Sequence, residues 1–173
     1  MGDLMGKVES ERGALERLGG KIPGFRGYLA REKRRDADKL LRDAIAQSFE
    51  TQLRRLPDLQ MQLVSAGRID YVDDVERAVI RLNTFVDRVK TTPRGYAGFF
   101  DAVKINEDEL EQLYHWDTQL LGEADQIALS IDALATAIGG TGDTGAAVRD
   151  LVASSAAINQ LYSKREQALL ASV

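Results

Sequence analysis

The chain contains no cysteine, which excludes disulfide frameworks, thiolate metal sites and cysteine nucleophiles at once. It has a single histidine, His115. A carboxylate-bridged di-iron bundle needs two Glu-x-x-His motifs, and "Gln112-Leu-Tyr-His115" lacks the glutamate of even one. A serine–histidine triad would have to use that same ring, and no Gly-x-Ser-x-Gly supports one. On a helical wheel His115 falls on the polar side, so it is expected to be exposed. No apolar run approaches the ~18 residues of a membrane span. The N-terminus "MGDLMGKVESERG" has no apolar h-region, and Gly6 stands where myristoylation needs Ser or Thr. A cytoplasmic protein is expected.

Alternating apolar and polar residues are also missing, so no strand is expected. What is present is helical periodicity almost throughout. Of 173 residues, 44% are hydrophobic and 29% charged, ordinary proportions for one domain with a real core. Leu4, Val8, Leu15, Leu18 and Ile22 suggest a first helix, broken at Gly19–Gly20. Residues 1–27 are expected to form a peripheral N-terminal helix and turn. A second helix is expected over 28–55, with Leu29, Ala37, Leu40, Leu41 and Ala44 giving way to Ile45, Phe49, Leu53 and Leu56. A stripe that drifts in this way means the two ends pack on different neighbours.

Pro57 opens a short helix closed by Gly67. Asp70 is the expected N-cap of a helix to residue 90, built on Val72, Val75, Val79, Leu82, Phe85, Val86 and Val89. Asn106 with Glu109 is an N-cap signature, with Ile105 as a staple, for a long helix to Gly139. "GGTGDTG", 139–145, is a turn before a last helix over 146–170. The expected fold is all-α: an antiparallel helical bundle of four principal helices with short extra helices, in one domain over 1–173.

Cations are missing from one whole stretch. Residues 106–139 hold eight acids and no Lys or Arg, net −8, whereas residues 21–42 hold eight Lys/Arg and three acids, net +5. The total of −4 conceals a bipolar molecule. The basic residues crowd the start of the second helix, where partial positive charge disfavours each exposed cation by roughly 0.3–1 kcal/mol. Two answers are open. The acidic helix lies beside the basic one, or an external anion binds there. Arg31, Arg35, Lys39 and Arg42 fall within roughly 80° on the face opposite the leucines, at 100° per residue. With Arg26 and Arg34 they are the candidate anion-contacting residues. Glu32, Asp36 and Asp43 run alongside and dilute the stripe. A second stripe, Arg77, Arg81 and Arg88, lies on the polar side of its helix with Asp74 nearby.

Asp117 is the other candidate. It projects into the apolar face between Leu113, Leu120 and Leu121, where a carboxylate is costly unless paired. A buried salt bridge to an arginine of the basic helix is expected, with a ligand or metal contact as the sharper alternative. "GGTGDTG" lacks the Lys-Ser/Thr pair of a phosphate loop and follows no strand. Calcium-loop spacing is absent. Tyr114 and Trp116 read as core or edge aromatics. The turns "PGFRGY" and "PRGYAGFF" offer Phe25, Tyr28, Tyr96, Phe99 and Phe100, flanked by Arg26 and Arg94, either to plug a bundle end or to form a recognition patch.

These features lead to a non-enzymatic interaction or scaffold protein that binds an acidic partner through the basic helix 28–42. No cofactor or metal is implied. Peripheral attachment to anionic lipid or a phosphate-containing ligand is the alternative, and a small ligand- or metal-binding bundle centred on Asp117 is a further one. A second copy of the chain is also an admissible partner, because opposite-charge helices pair as easily between molecules as within one. Nucleic acid is disfavoured by the acidic total and the lack of aromatics among the basic residues.

Overall fold

The computed structural model describes residues 18–22, 34–91 and 107–170. All regular structure among them is helical, and four long helices pack against one another as a bundle. We label them in chain order: α1 (Arg34–Leu53), the short α2 (Leu56–Ser65), α3 (Val72–Thr91), α4 (Glu107–Ile138) and α5 (Thr144–Leu170). A 3-10 turn, Ile69–Tyr71, leads into α3.

Successive long helices alternate in direction. Around the bundle the order is α1, α3, α5, α4 and back to α1. Arg81 meets Val152 and Arg88 meets Asn159, so α3 and α5 run parallel with a constant offset. Asp38 of α1 and Asp117 of α4 meet through Arg165, and Arg55, just past the end of α1, pairs with Asp132 farther along α4, so α1 and α4 also run parallel. The starts of α1 and α4 therefore share one end of the bundle with the ends of α3 and α5. At the other end, α2 and the 3-10 turn sit beside the turn joining α4 to α5.

The core is one continuous apolar cluster. Phe49 of α1, Phe85 of α3 and Tyr162 of α5 cross it as a row of edge-to-face rings, with centroids 4.6 Å and 5.6 Å apart. Such contacts add about 0.5–1.5 kcal/mol each beyond area burial. Residues 18–22 also join the core, with Leu18 and Ile22 buried. Here the expected break at Gly19–Gly20 does not occur. The Ile22 amide donates to the Leu18 carbonyl at 2.9 Å, and the helix runs through both glycines. Glycine costs about 1 kcal/mol in a helix interior, and burying two large side chains one turn apart offsets it.

The short elements follow local rules. Pro57 sits at the start of α2, where its missing N–H is not needed. Gly67 ends the turn after it with φ 71°, a conformation that disfavours a side chain. Asp70 does not cap α3 as expected. It lies inside the 3-10 turn, which supplies the entry to the helix. The α4–α5 turn is built by Gly140 at φ 104° and by Asp143, whose Oδ1 accepts from the Ala146 amide at 3.1 Å. Arg68 donates to the Ala137 carbonyl at 2.8 Å and to the Thr144 hydroxyl, so it caps the end of α4. The expected Asn106–Glu109 cap, the Ile105 staple and both aromatic turns lie outside the described residues.

Candidate functional site

Four charged side chains meet inside the end of the bundle where α1 starts. Asp38 and Arg42 come from α1, Asp117 from α4 and Arg165 from α5. All four are buried, and Asp117 and Arg165 are 0% and 1% exposed. Arg165 Nε donates to Asp117 Oδ1 at 2.7 Å, and its Nη2 reaches Asp117 Oδ2 at 3.3 Å and Asp38 Oδ1 at 3.1 Å. Arg42 Nε donates to the second Asp38 oxygen at 2.7 Å. Arg42 Nη1 also reaches the Val89 carbonyl at 3.3 Å, in the last turn of α3, where helix carbonyls lack partners.

The quartet carries two positive and two negative charges and is neutral as a unit. The Arg165 guanidinium lies 5.8 Å from the Tyr162 ring centroid, and Arg88 lies 5.0 Å from it. Complete burial pushes the Asp117 carboxyl above its ordinary value, with Arg165 pulling against that shift. Burial alone would lower Arg165, but Asp117 and Asp38 outweigh it and hold the guanidinium above its ordinary value. Arg165 is thus firmly charged, and both Asp117 oxygens are engaged by it. The carboxylate is fully buried and each of its oxygens accepts a bond from Arg165.

The other predicted site residues divide. Arg42 is not on a solvent-facing stripe. It turns inward because α1 is flanked by both α3 and α4, which widens its buried arc to Asp38, Leu41, Arg42, Ile45, Ala46 and Phe49. Lys39 is exposed. Arg26 and Arg31, and the side chains of Arg34 and Arg35, lie outside the described residues. Asp117 is paired, as a buried carboxylate requires, but its partner comes from α5 rather than from the basic helix.

The acidic helix takes its other described cations from outside the basic helix itself. Lys21 Nζ pairs with Asp125 at 2.6 Å, and Arg55 pairs with Asp132. Of the two described cationic side chains in 34–42, Lys39 and Arg42, neither forms an ion pair with a described residue of α4. The basic and acidic helices are neighbours, yet Arg165 mediates their charge contact through Asp38.

The second arginine stripe faces α5. Arg77 stays at the surface, paired with Asp74. Arg81 Nη1 donates to the Val152 carbonyl at 3.1 Å. Arg88 reaches the Asn159 carbonyl at 3.2 Å, Ser163 Oγ at 3.0 Å and Glu166 Oε2 at 2.6 Å. His115 is exposed and lies 2.9 Å from the Gln119 amide nitrogen. No group of three or more His, Cys, Asp or Glu placed to hold a metal occurs among the described residues. No described helix is long and apolar enough to cross a membrane.

Arg165 is the residue the sequence reading missed. Its signal was present. Ile158, Tyr162, Arg165 and Leu169 follow helical spacing, which puts a cation in the middle of an apolar row. Asp38, ahead of Leu41 and Ile45, carries the same signal. Comparison with protein-family models, with curated proteins and with solved structures gave no significant match.

Proposed function

We propose that the protein is a non-enzymatic interaction module that binds an acidic partner through the start of α1 and the basic residues before it. One observation carries this reading: the described ion pairs of the acidic helix are made by Lys21, Arg55 and Arg165, and Lys39 of α1 is not among them. Lys39, exposed on that helix, makes no ion pair with any described residue. Arg42 belongs to the fold, and the contact surface is Arg26, Arg31, Arg34, Arg35 and Lys39. The Asp117 carboxylate, closed off by Arg165, supports this reading over a ligand site inside the bundle.

The test uses the full chain and a fluorescent poly-glutamate peptide, with phosphatidylglycerol vesicles in parallel. The wild type binds the peptide with affinity that falls steeply with salt, because screening shortens charge reach. Arg31→Glu, Arg35→Glu and Lys39→Glu together abolish binding while helicity is kept. Binding that survives the triple reversal overturns the proposal. Binding to vesicles and not to the peptide favours the anionic-lipid alternative.

A further inference from the structure

Four long helices of alternating direction can close a bundle in more than one order. In the order seen here, α3 neighbours α5 and α1 neighbours α4, both as parallel pairs. The competing order places α3 beside α4 and α1 beside α5, so that every neighbour is antiparallel. Helix directions along the chain are the same in both. The connection between α3 and α4, residues 92–106, is long enough in sequence to join either neighbours or diagonal partners. Something other than chain length must choose.

Some cross-links exist in either order and choose nothing. Lys90–Glu50 joins α3 to α1, and Arg165–Asp117 joins α5 to α4. Arg165–Asp38 spans the diagonal here and would join neighbours in the other order. The discriminating links are those between the parallel pairs. Between α3 and α5, Arg81 reaches the Val152 carbonyl, Asn159 Nδ2 donates back to the Arg81 carbonyl at 2.9 Å, and Arg88 takes Asn159, Ser163 and Glu166 together. Arg55–Asp132 ties the turn after α1 to α4.

We infer that the polar seam between α3 and α5 selects this helix order. The apolar rows are poor selectors, because aliphatic side chains of about the right volume repack readily. The seam is directional. Three of its bonds read backbone carbonyls at fixed positions, and in the competing order α3 and α5 face each other only across the core, where these half-buried groups lose one another. A polar residue that specifies register in a coiled coil works in the same way. This inference does not depend on the proposed function.

The absence of native cysteine makes the test clean. Spin labels go on two pairs of exposed sites in the full chain. Thr84→Cys with Gln160→Cys spans α3 and α5, and Thr84→Cys with Gln126→Cys spans α3 and α4. In the wild-type background each pair gives one distance population by pulsed electron resonance. In Arg88→Leu/Asn159→Leu/Glu166→Leu, helical circular dichroism is kept but a second population appears. It is longer between α3 and α5 and shorter between α3 and α4, in the same fraction. A triple variant that keeps one population at wild-type distances overturns the inference. Loss of helicity in that variant also overturns it, because the seam would then supply stability rather than order.

Discussion

Arg42 and Lys39 stand on the same turn of α1 and have opposite fates. Replacing Arg42 by Ala removes a buried bond to Asp38 and a cap on the end of α3. The expected loss in urea unfolding is at least about 2 kcal/mol. Lys39→Ala, at an exposed position, should stay within about 0.5 kcal/mol of wild type. Equal effects would restore the solvent-facing stripe suggested by the wheel. Asp117 gives a pH prediction. Its folded value is raised by burial, so the fold binds this proton more tightly than the unfolded chain does. The stabilisation from that proton is fully present below the unfolded value of 3.8 and is lost as pH rises through the raised folded value. The stability of wild type minus that of Asp117→Asn should therefore fall over that window. Arg165 of α5 and Asp38 and Arg42 of α1 act on this carboxyl, and the Tyr162 ring lies beside its Arg165 partner. A difference that grows with pH would contradict the direction. The buried carboxylate was legible from Leu113, Leu120 and Leu121 around it. Its partner was not, because the alanine- and serine-rich α5 gives a weak apolar stripe in which a lone arginine is easily taken as surface.

At the scale of elements, the helices themselves were readable because their apolar rows are long and their breakers strong. Pro57 and Gly67 bound the short helix as the sequence suggests. Entry to α3 was less legible, since a 3-10 turn satisfies the local hydrogen bonds without the Asp70 side chain. The α4–α5 turn reads as glycine-rich from sequence, but only the structure gives Asp143 its role. Asp143→Ala removes the bond to the Ala146 amide and should cost about 1 kcal/mol in thermal or urea unfolding. No loss would mean that the Arg68 contacts with Ala137 and Thr144 hold the corner alone.

For the molecule as a whole, charge segregation along the chain was plain from sequence, and the basic and acidic helices are neighbours in the bundle. How they communicate was not legible, because a third helix far along the chain supplies the mediating cation. Spatial order depends on contacts between helices that sequence neighbourhood does not reveal. One guanidinium, Arg165, gathers a carboxylate from each of two other helices inside the bundle, and Arg42 supplies the second positive charge that balances them.

A double-mutant cycle on Arg165 and Asp117 tests that account most directly. Arg165→Met leaves two buried carboxylates without their shared cation and should cost about 3–5 kcal/mol. Adding Asp117→Asn to it removes one of those stranded charges. The double variant should then be more stable than Arg165→Met alone, with a coupling of roughly 1–3 kcal/mol by urea unfolding at neutral pH. Simple addition of the two single effects would contradict the account.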